Sequence, residues 1–119
     1  HAVGDIVLKT VSKVIKSQLR DYDIAGRYGG EEFVILLPNT KQEEAKMVAE
    51  RLRSAVENKK IDISKLVPEK ENINVTISLG VAQYKSGDYE KILTQNADKA
   101  LYKAKETGRN KVVIYDENI

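Results

Sequence analysis

Cysteine is absent from this chain of 119 residues, which excludes disulfide bridges and thiolate-held metals and fits a reducing interior. Histidine occurs once, at His1, so a metal site built on imidazoles or an acid–base mechanism resting on histidine has nothing to build with. No apolar run approaches the ~20 residues of a membrane-spanning helix, and no signal peptide is visible. Neither sign of charge dominates. Twenty Lys and Arg against 18 Asp and Glu leave a net +2, too little to argue for nucleic acid as a partner. Internal repeats and low-complexity tracts are missing too. Composition points to a soluble globular α/β domain, one domain over residues 1–119, and goes no further.

Hydrophobic spacing outlines the elements. From Asp5 to about Leu19, the apolar residues Leu8, Val11, Ile15 and Leu19, flanked by Val7 and Val14, recur at helical intervals. A strand-like piece, Asp23 to Tyr28, precedes the run Phe33 to Leu37, which is apolar on both faces and so predicted central in a sheet. Pro38 ends it. Thr40-Lys41-Gln42-Glu43 has capping-box form, with Thr40 as N-cap, and Ala45, Val48, Ala49, Leu52 and Val56 then mark a helix packed by one face. Residues 59–72 are charged, contain Pro68 and lack a clean period; they read as a connection with room for a short strand. Ile73, Val75, Ile77, Leu79 and Val81 alternate strictly, which predicts one half-buried strand from Ile73 to Val81. Tyr89 to Glu106 is a third amphipathic helix, Gly108 stands where a helix C-terminal glycine belongs, and a last strand runs from Lys111 to Tyr115. The order is α-β-β-α-β-α-β.

The most informative stretch is Arg27-Tyr28-Gly29-Gly30-Glu31-Glu32-Phe33. Strands joined through Gly-Gly make a hairpin, because glycine reaches the positive φ that a tight turn needs. Two carboxylates beside bare backbone suit a divalent metal and a nucleotide. A solvated hairpin tip has the same composition, and the neighbouring motifs decide between the two. The loop resembles the signature of GGDEF domains, the diguanylate cyclases, in its GGEEF spelling. His1-Ala2-Val3-Gly4-Asp5 is similar to the family's GHxxGD stretch, and Arg20-Asp21-Tyr22-Asp23 to its RxxD. Residues 76–82 resemble its T-x-S-x-G-x-A strand, and residues 97–105 with Gly108-Arg109-Asn110 its ADxALYxAKxxGRN terminus. The resemblance covers the whole chain in the family's order.

That resemblance implies an α/β (α+β) fold of the ferredoxin-like, nucleotidyl-cyclase palm type, with a central antiparallel sheet flanked by helices. His1 already belongs to a motif and is structural in the family. The family's first strand, which carries a metal-binding aspartate, would lie upstream, so the chain is expected to be an N-terminally truncated domain. The implied reaction condenses two GTP into cyclic di-GMP with release of two pyrophosphates. Two domains must face each other, which calls for a homodimer, and an upstream sensory or receiver domain would govern the pairing. Glu31 is the implied catalytic ligand of Mg²⁺ (or Mn²⁺), whose preference is for oxygen donors, with Glu32 assisting the attacking hydroxyl or the metal. Asp5 would read guanine; helix N-capping is its structural alternative. Gly29 and Gly30 would let the nucleotide approach the backbone, and Lys105 and Arg109 would hold the β- and γ-phosphates.

Arg20 and Asp23 match the family's inhibitory site, where cyclic di-GMP binds, and Arg51 aligns with a secondary arginine of that site; a solvated helix arginine is its alternative. Tyr28, Phe33 and Tyr102 read as packing residues rather than base-stacking platforms. A catalytically silent module that binds cyclic di-GMP or GTP is the competing expectation. Contact with nucleic acid or membrane is not expected, and a cytoplasmic location is.

Overall fold

The computed structural model describes residues 2–118, so the His1 position of the first motif lies outside it. Its elements are α1 (Ala2–Gln18), β1 (Ile24–Gly29), β2 (Glu32–Leu36), α2 (Gln42–Glu57), β3 (Ile61–Asp62), β4 (Asn72–Ile73), β5 (Leu79–Val81), α3 (Glu90–Glu106) and β6 (Val112–Ile114). The α+β class expected from the sequence holds. The chain divides into two compact units, one formed by residues up to Asn39 with Ser54–Val75, the other by Thr40–Arg53 with Thr76 onward.

In the first unit, the helical stripe of α1 turns Val11 and Ile15 inward, and the helix packs on β3. Val56, Ile61 and Ile63 are buried in the same unit, each worth about 1.5–3 kcal/mol on leaving water. Ile61 and Ile63 come from the aperiodic connection, where a two-residue strand pairs antiparallel with β4. The turn after β3 is closed by Asp62, whose Oδ1 accepts the Ser64 amide at 2.9 Å. The Ser64 hydroxyl first, and then that amide, hold the Asp62 carboxyl below the ordinary carboxylate range.

In the second unit, β5 and β6 pair in parallel and α3, the connection between them, lies on β5. Ala100 and Ala104 of α3 are completely buried, and Val48, Ala49 and Leu52 in the middle of α2 are buried too. The amide of Ala45 donates to the Lys41 carbonyl, which begins α2 one residue later than the Thr40 capping box predicts. The amide of Gln42, one of the donors a helix leaves unmet at its start, goes to Gln83 Oε1 at 2.6 Å.

Three expectations need amendment. Among the described residues the strands pair as two-stranded ladders, β1–β2 and β3–β4 antiparallel and β5–β6 parallel. Accordingly β2 is covered on one side only: Val34 and Leu36 are exposed, and Phe33 and Ile35 are half-buried. The predicted strand Ile73–Val81 is interrupted. Residues 74–78 pair with no strand among the described residues, and alternation by itself supplies no ladder partner. Tyr28 and Tyr102 are exposed rather than packed, the first beside a bulge and the second on the outer face of α3.

Gly80 is where β5 meets α3. A methyl group there would run into the backbone of Ala97 and Leu101, which no side-chain rotation relieves. Gly80→Ala should therefore cost about 1–3 kcal/mol or more, as overpacking does. Urea unfolding checks this against Gly4→Ala, which meets open space within α1 and should be neutral or slightly stabilising. Equal stability of the two variants would remove the close approach.

Candidate active site

The hairpin tip is built by a register shift. Ile24 pairs with Leu36, Gly26 with Val34 and Arg27 with Phe33, after which Gly29 meets Glu32 and Tyr28 is left as a bulge. The two-residue loop is thus Gly30-Glu31. Gly30, the first loop residue, has φ +51°, in the left-handed region that glycine reaches without steric cost. Arg27 Nε donates to the Gly30 carbonyl at 2.8 Å and braces the turn from within the hairpin. Glu31 stands in the loop and Glu32 opens β2, both exposed.

Asp5 lies in the first turn of α1, not at its N-cap, where a carboxylate also suits the helix dipole. It lines a groove of about 460 Å³ between α1 and the hairpin, together with Leu8, Lys9 and Ser12 from the helix and Arg27 and Phe33 from the strands. The groove brings Asp5 together with Arg27 and Phe33, the strand pair just below the hairpin tip. Lys13 and Lys16 extend its basic wall, a feature the motif reading passed over. Lys105, Arg109 and Arg51 belong to the second unit: Lys105 in the last turn of α3, Arg109 just past it with φ +62°, and Arg51 on α2, all exposed.

The side chains of Asp5, Glu31, Glu32, Lys105 and Arg109 make no hydrogen bond or ion pair among the described residues. Arg20 and Asp23 are the opposite case. The Arg20 amide donates to Asp23 Oδ2 at 2.8 Å, its Nε reaches Oδ2 at 3.0 Å, and its second guanidinium nitrogen reaches Oδ1 at 2.8 Å. The Asp23 amide returns a bond to the Arg20 carbonyl at 3.0 Å, which closes the corner between α1 and β1. The Asp23 side chain is only 1% exposed, while that of Arg20 is 30% exposed and lies over the Tyr22 ring at 4.7 Å. Both line a smaller groove of about 320 Å³ with Lys16, Leu19 and Ile24.

Comparison with known proteins decides the family. A family model described as "Diguanylate cyclase, GGDEF domain" matches residues 1–111. The chain belongs to the GGDEF family. It is 49% identical to Diguanylate cyclase A of Treponema denticola over 121 aligned positions, covering all of this chain and 31% of that protein. The chain thus spans about a third of the length of that curated relative. Its fold superposes with a TM-score of 0.86 on the active GGEEF domain of a diguanylate cyclase from Vibrio cholerae, at 35% identity over 98% of this chain and 71% of that one. The GGDEF domain of DgcB from Caulobacter crescentus, solved in complex with c-di-GMP, gives 0.88 at 31% identity, covering 96% and 66%. Among the described residues, no helix is long and apolar enough to cross a membrane.

The Arg20–Asp23 corner is structural whatever else it does. Asp23→Ala would leave the Arg20 amide and guanidinium without their carboxylate, at a cost of about 1–3 kcal/mol. Thermal or urea unfolding reads the loss against Asp21→Ala, an exposed neighbour expected to stay within about 0.5 kcal/mol of the parent. A harmless Asp23→Ala would show that the corner is held by other bonds.

Proposed function

We propose that this domain is the catalytic part of a diguanylate cyclase. Its reaction joins two GTP molecules: the 3′-hydroxyl of each attacks the α-phosphate of the other, two pyrophosphates leave, and cyclic di-GMP forms. Positioning and charge neutralisation carry phosphoryl transfers of this type more than covalent catalysis does. The observation that carries the reading is the separation of charges. The five family-matched groups Asp5, Glu31, Glu32, Lys105 and Arg109 make no hydrogen bond or ion pair among the described residues, whereas Arg20 and Asp23 are bonded to each other.

Each group has a role that follows from its chemistry. Asp5, in the groove, accepts hydrogen bonds from the N1 and N2 donors of guanine. Gly29 and Gly30 keep side chains away from the phosphates. Lys105 and Arg109 hold the β- and γ-phosphates. The carboxylates of Glu31 and Glu32 are hard oxygen donors, which fit Mg²⁺ or Mn²⁺ held by one or two carboxylates together with substrate oxygens. Among the described residues, no cluster of three or more acidic or histidine side chains could hold a metal without such help. A bound cation would supply charge neutralisation at the transferring phosphate. Glu31 is its ligand from this chain, and Glu32 assists the hydroxyl or the cation. One domain binds one GTP, so a homodimer is the working unit, and a preceding sensory or receiver domain would set its pairing.

A regulatory site accompanies the catalytic one. Arg20 and Asp23, already aligned at the smaller groove, would take cyclic di-GMP through guanidinium forks to phosphate and guanine, with Arg51 as a secondary contact. That prepaired site also favours a second reading, a silent receptor for the dinucleotide.

Incubation of the intact protein with GTP and Mg²⁺, with products identified by mass spectrometry, separates the readings. Cyclic di-GMP is expected, and Glu31→Ala should lower its formation by about 100-fold or more, the scale of removing one charge-stabilising group from a transition state. A folded sample that binds cyclic di-GMP but forms none would be a receptor. Arg20→Ala should raise the cyclic di-GMP concentration needed to halt turnover by about tenfold or more while the uninhibited rate holds. Unchanged inhibition would take the regulatory site away from Arg20.

A further inference from the structure

The segment after α3 spends backbone strain to display one arginine. Thr107 ends the helix, Gly108 follows at φ +120°, and the Arg109 amide donates back to the Ala104 carbonyl at 2.9 Å, the six-to-one bond of a Schellman motif. A glycine completes such an ending, yet two further residues continue in the left-handed region, Arg109 at φ +62° and Asn110 at φ +49°. Asparagine tolerates that conformation. Arginine does so at a cost on the order of 1–2 kcal/mol.

Two elements hold the strained pair in place. From the stretch before β5, Ser78 Oγ accepts the Asn110 amide at 3.1 Å. From α2, a guanidinium nitrogen of Arg53 donates to Asn110 Oδ1 at 3.0 Å, while Arg53 Nε is anchored on Glu50 at 3.1 Å. The Arg53 side chain is only 20% exposed, so its planar fork is held rather than waving in solvent. One residue on, the Lys111 carbonyl accepts the Leu79 amide at 2.9 Å and starts the β5–β6 ladder. Arg109 is thus fixed through its backbone on both sides, and its exposed guanidinium has no partner among the described residues.

We propose that Arg53 and Asn110 are positioning residues that preset Arg109 for the β- and γ-phosphates of GTP. This rests on the reading of Arg109 as a triphosphate ligand. A guanidinium placed in advance loses little freedom on binding, and loosening its turn should weaken the triphosphate contact while sparing the base.

The test uses the intact protein and two probes: α,β-methylene GTP, which cannot release pyrophosphate, and GMP, which lacks the outer phosphates. Arg53→Met and Asn110→Gly, the second keeping the left-handed backbone accessible, should each weaken the GTP analogue by about tenfold and leave GMP within about twofold. Asn110→Asp, which retains an acceptor for Arg53, should restore binding. Adding Arg53→Met to Arg109→Ala should cost nothing beyond Arg109→Ala alone, because the brace then has no side chain to aim. Equal weakening toward both probes, or additive losses in the double variant, would make the network a general structural support and overturn the proposal. Should Arg109→Ala lose analogue affinity while Arg53→Met and Asn110→Gly do not, the brace fails and the ligand role stands. No loss with Arg109→Ala defeats both.

Discussion

The contact of α3 with β5 at Gly80 is the constraint from which the second unit follows. Helix and strand approach until backbone meets backbone, which is possible only because position 80 has no side chain and α3 turns Ala97, Ala100 and Ala104 among its inner residues. α3 then ends at Thr107, with Gly108 past it at positive φ. Its ending sets where Gly108, Arg109 and Asn110 turn, and the turn delivers Val112 to its place beside Leu79. A larger residue at position 80 would shift the helix end along with the helix. Under the cyclase reading packing and function share a cause, since the display of Lys105 and Arg109 depends on a contact neither residue makes.

The first unit is organised by charge as much as by packing. Asp23 is taken almost out of water at the corner between α1 and β1, and it is accompanied by the guanidinium and the amide of Arg20, as a carboxylate with 1% exposure must be. Glu31 and Glu32, a few residues on, receive no such company. The bonds of the hairpin tip go to its backbone, Arg27 to the Gly30 carbonyl, and leave the carboxylates to solvent. One short stretch therefore holds acids that complete the fold and acids that do nothing for it.

Much of this was legible in the residue order, and what was not has identifiable reasons. Helical periodicity placed all three helices within a few residues, because a buried stripe such as Val11–Ile15 or Ala100–Ala104 repeats with the helix turn itself. The alternation from Ile73 to Val81 exceeds the paired strand, since alternation reports which side a residue faces and is silent on whether a neighbour exists to pair with. The Gly-Gly pair marks the hairpin, but its register is not legible, because the bulge at Tyr28 shifts the pairing and a bulge leaves no mark in composition. Motif matching named Gly108-Arg109-Asn110 as a unit. It could not reveal that Arg53, 57 residues earlier, holds Asn110, because that bond exists only once α2 has packed.

Under the cyclase reading, the two kinds of charged site also differ in what each would meet directly. A triphosphate repels Glu31 and Glu32, so an acidic tip is useful to a nucleotide only through a cation between them, and the oxygen-only donors there suit a hard divalent ion. Arg109 needs no intermediary, and its fork matches phosphate oxygens in pairs. The backbone treats the two accordingly. A carboxylate that shares a cation with mobile phosphates tolerates an exposed two-residue turn, in which Gly30 alone needs the left-handed conformation. A guanidinium that must meet phosphate oxygens at hydrogen-bond distance gains from being fixed beforehand, and Arg109 sits in a strained backbone clamped by Ser78 and Arg53 through its neighbour. Under the cyclase reading, the rigidity of each site follows from whether it touches the substrate itself or through an ion.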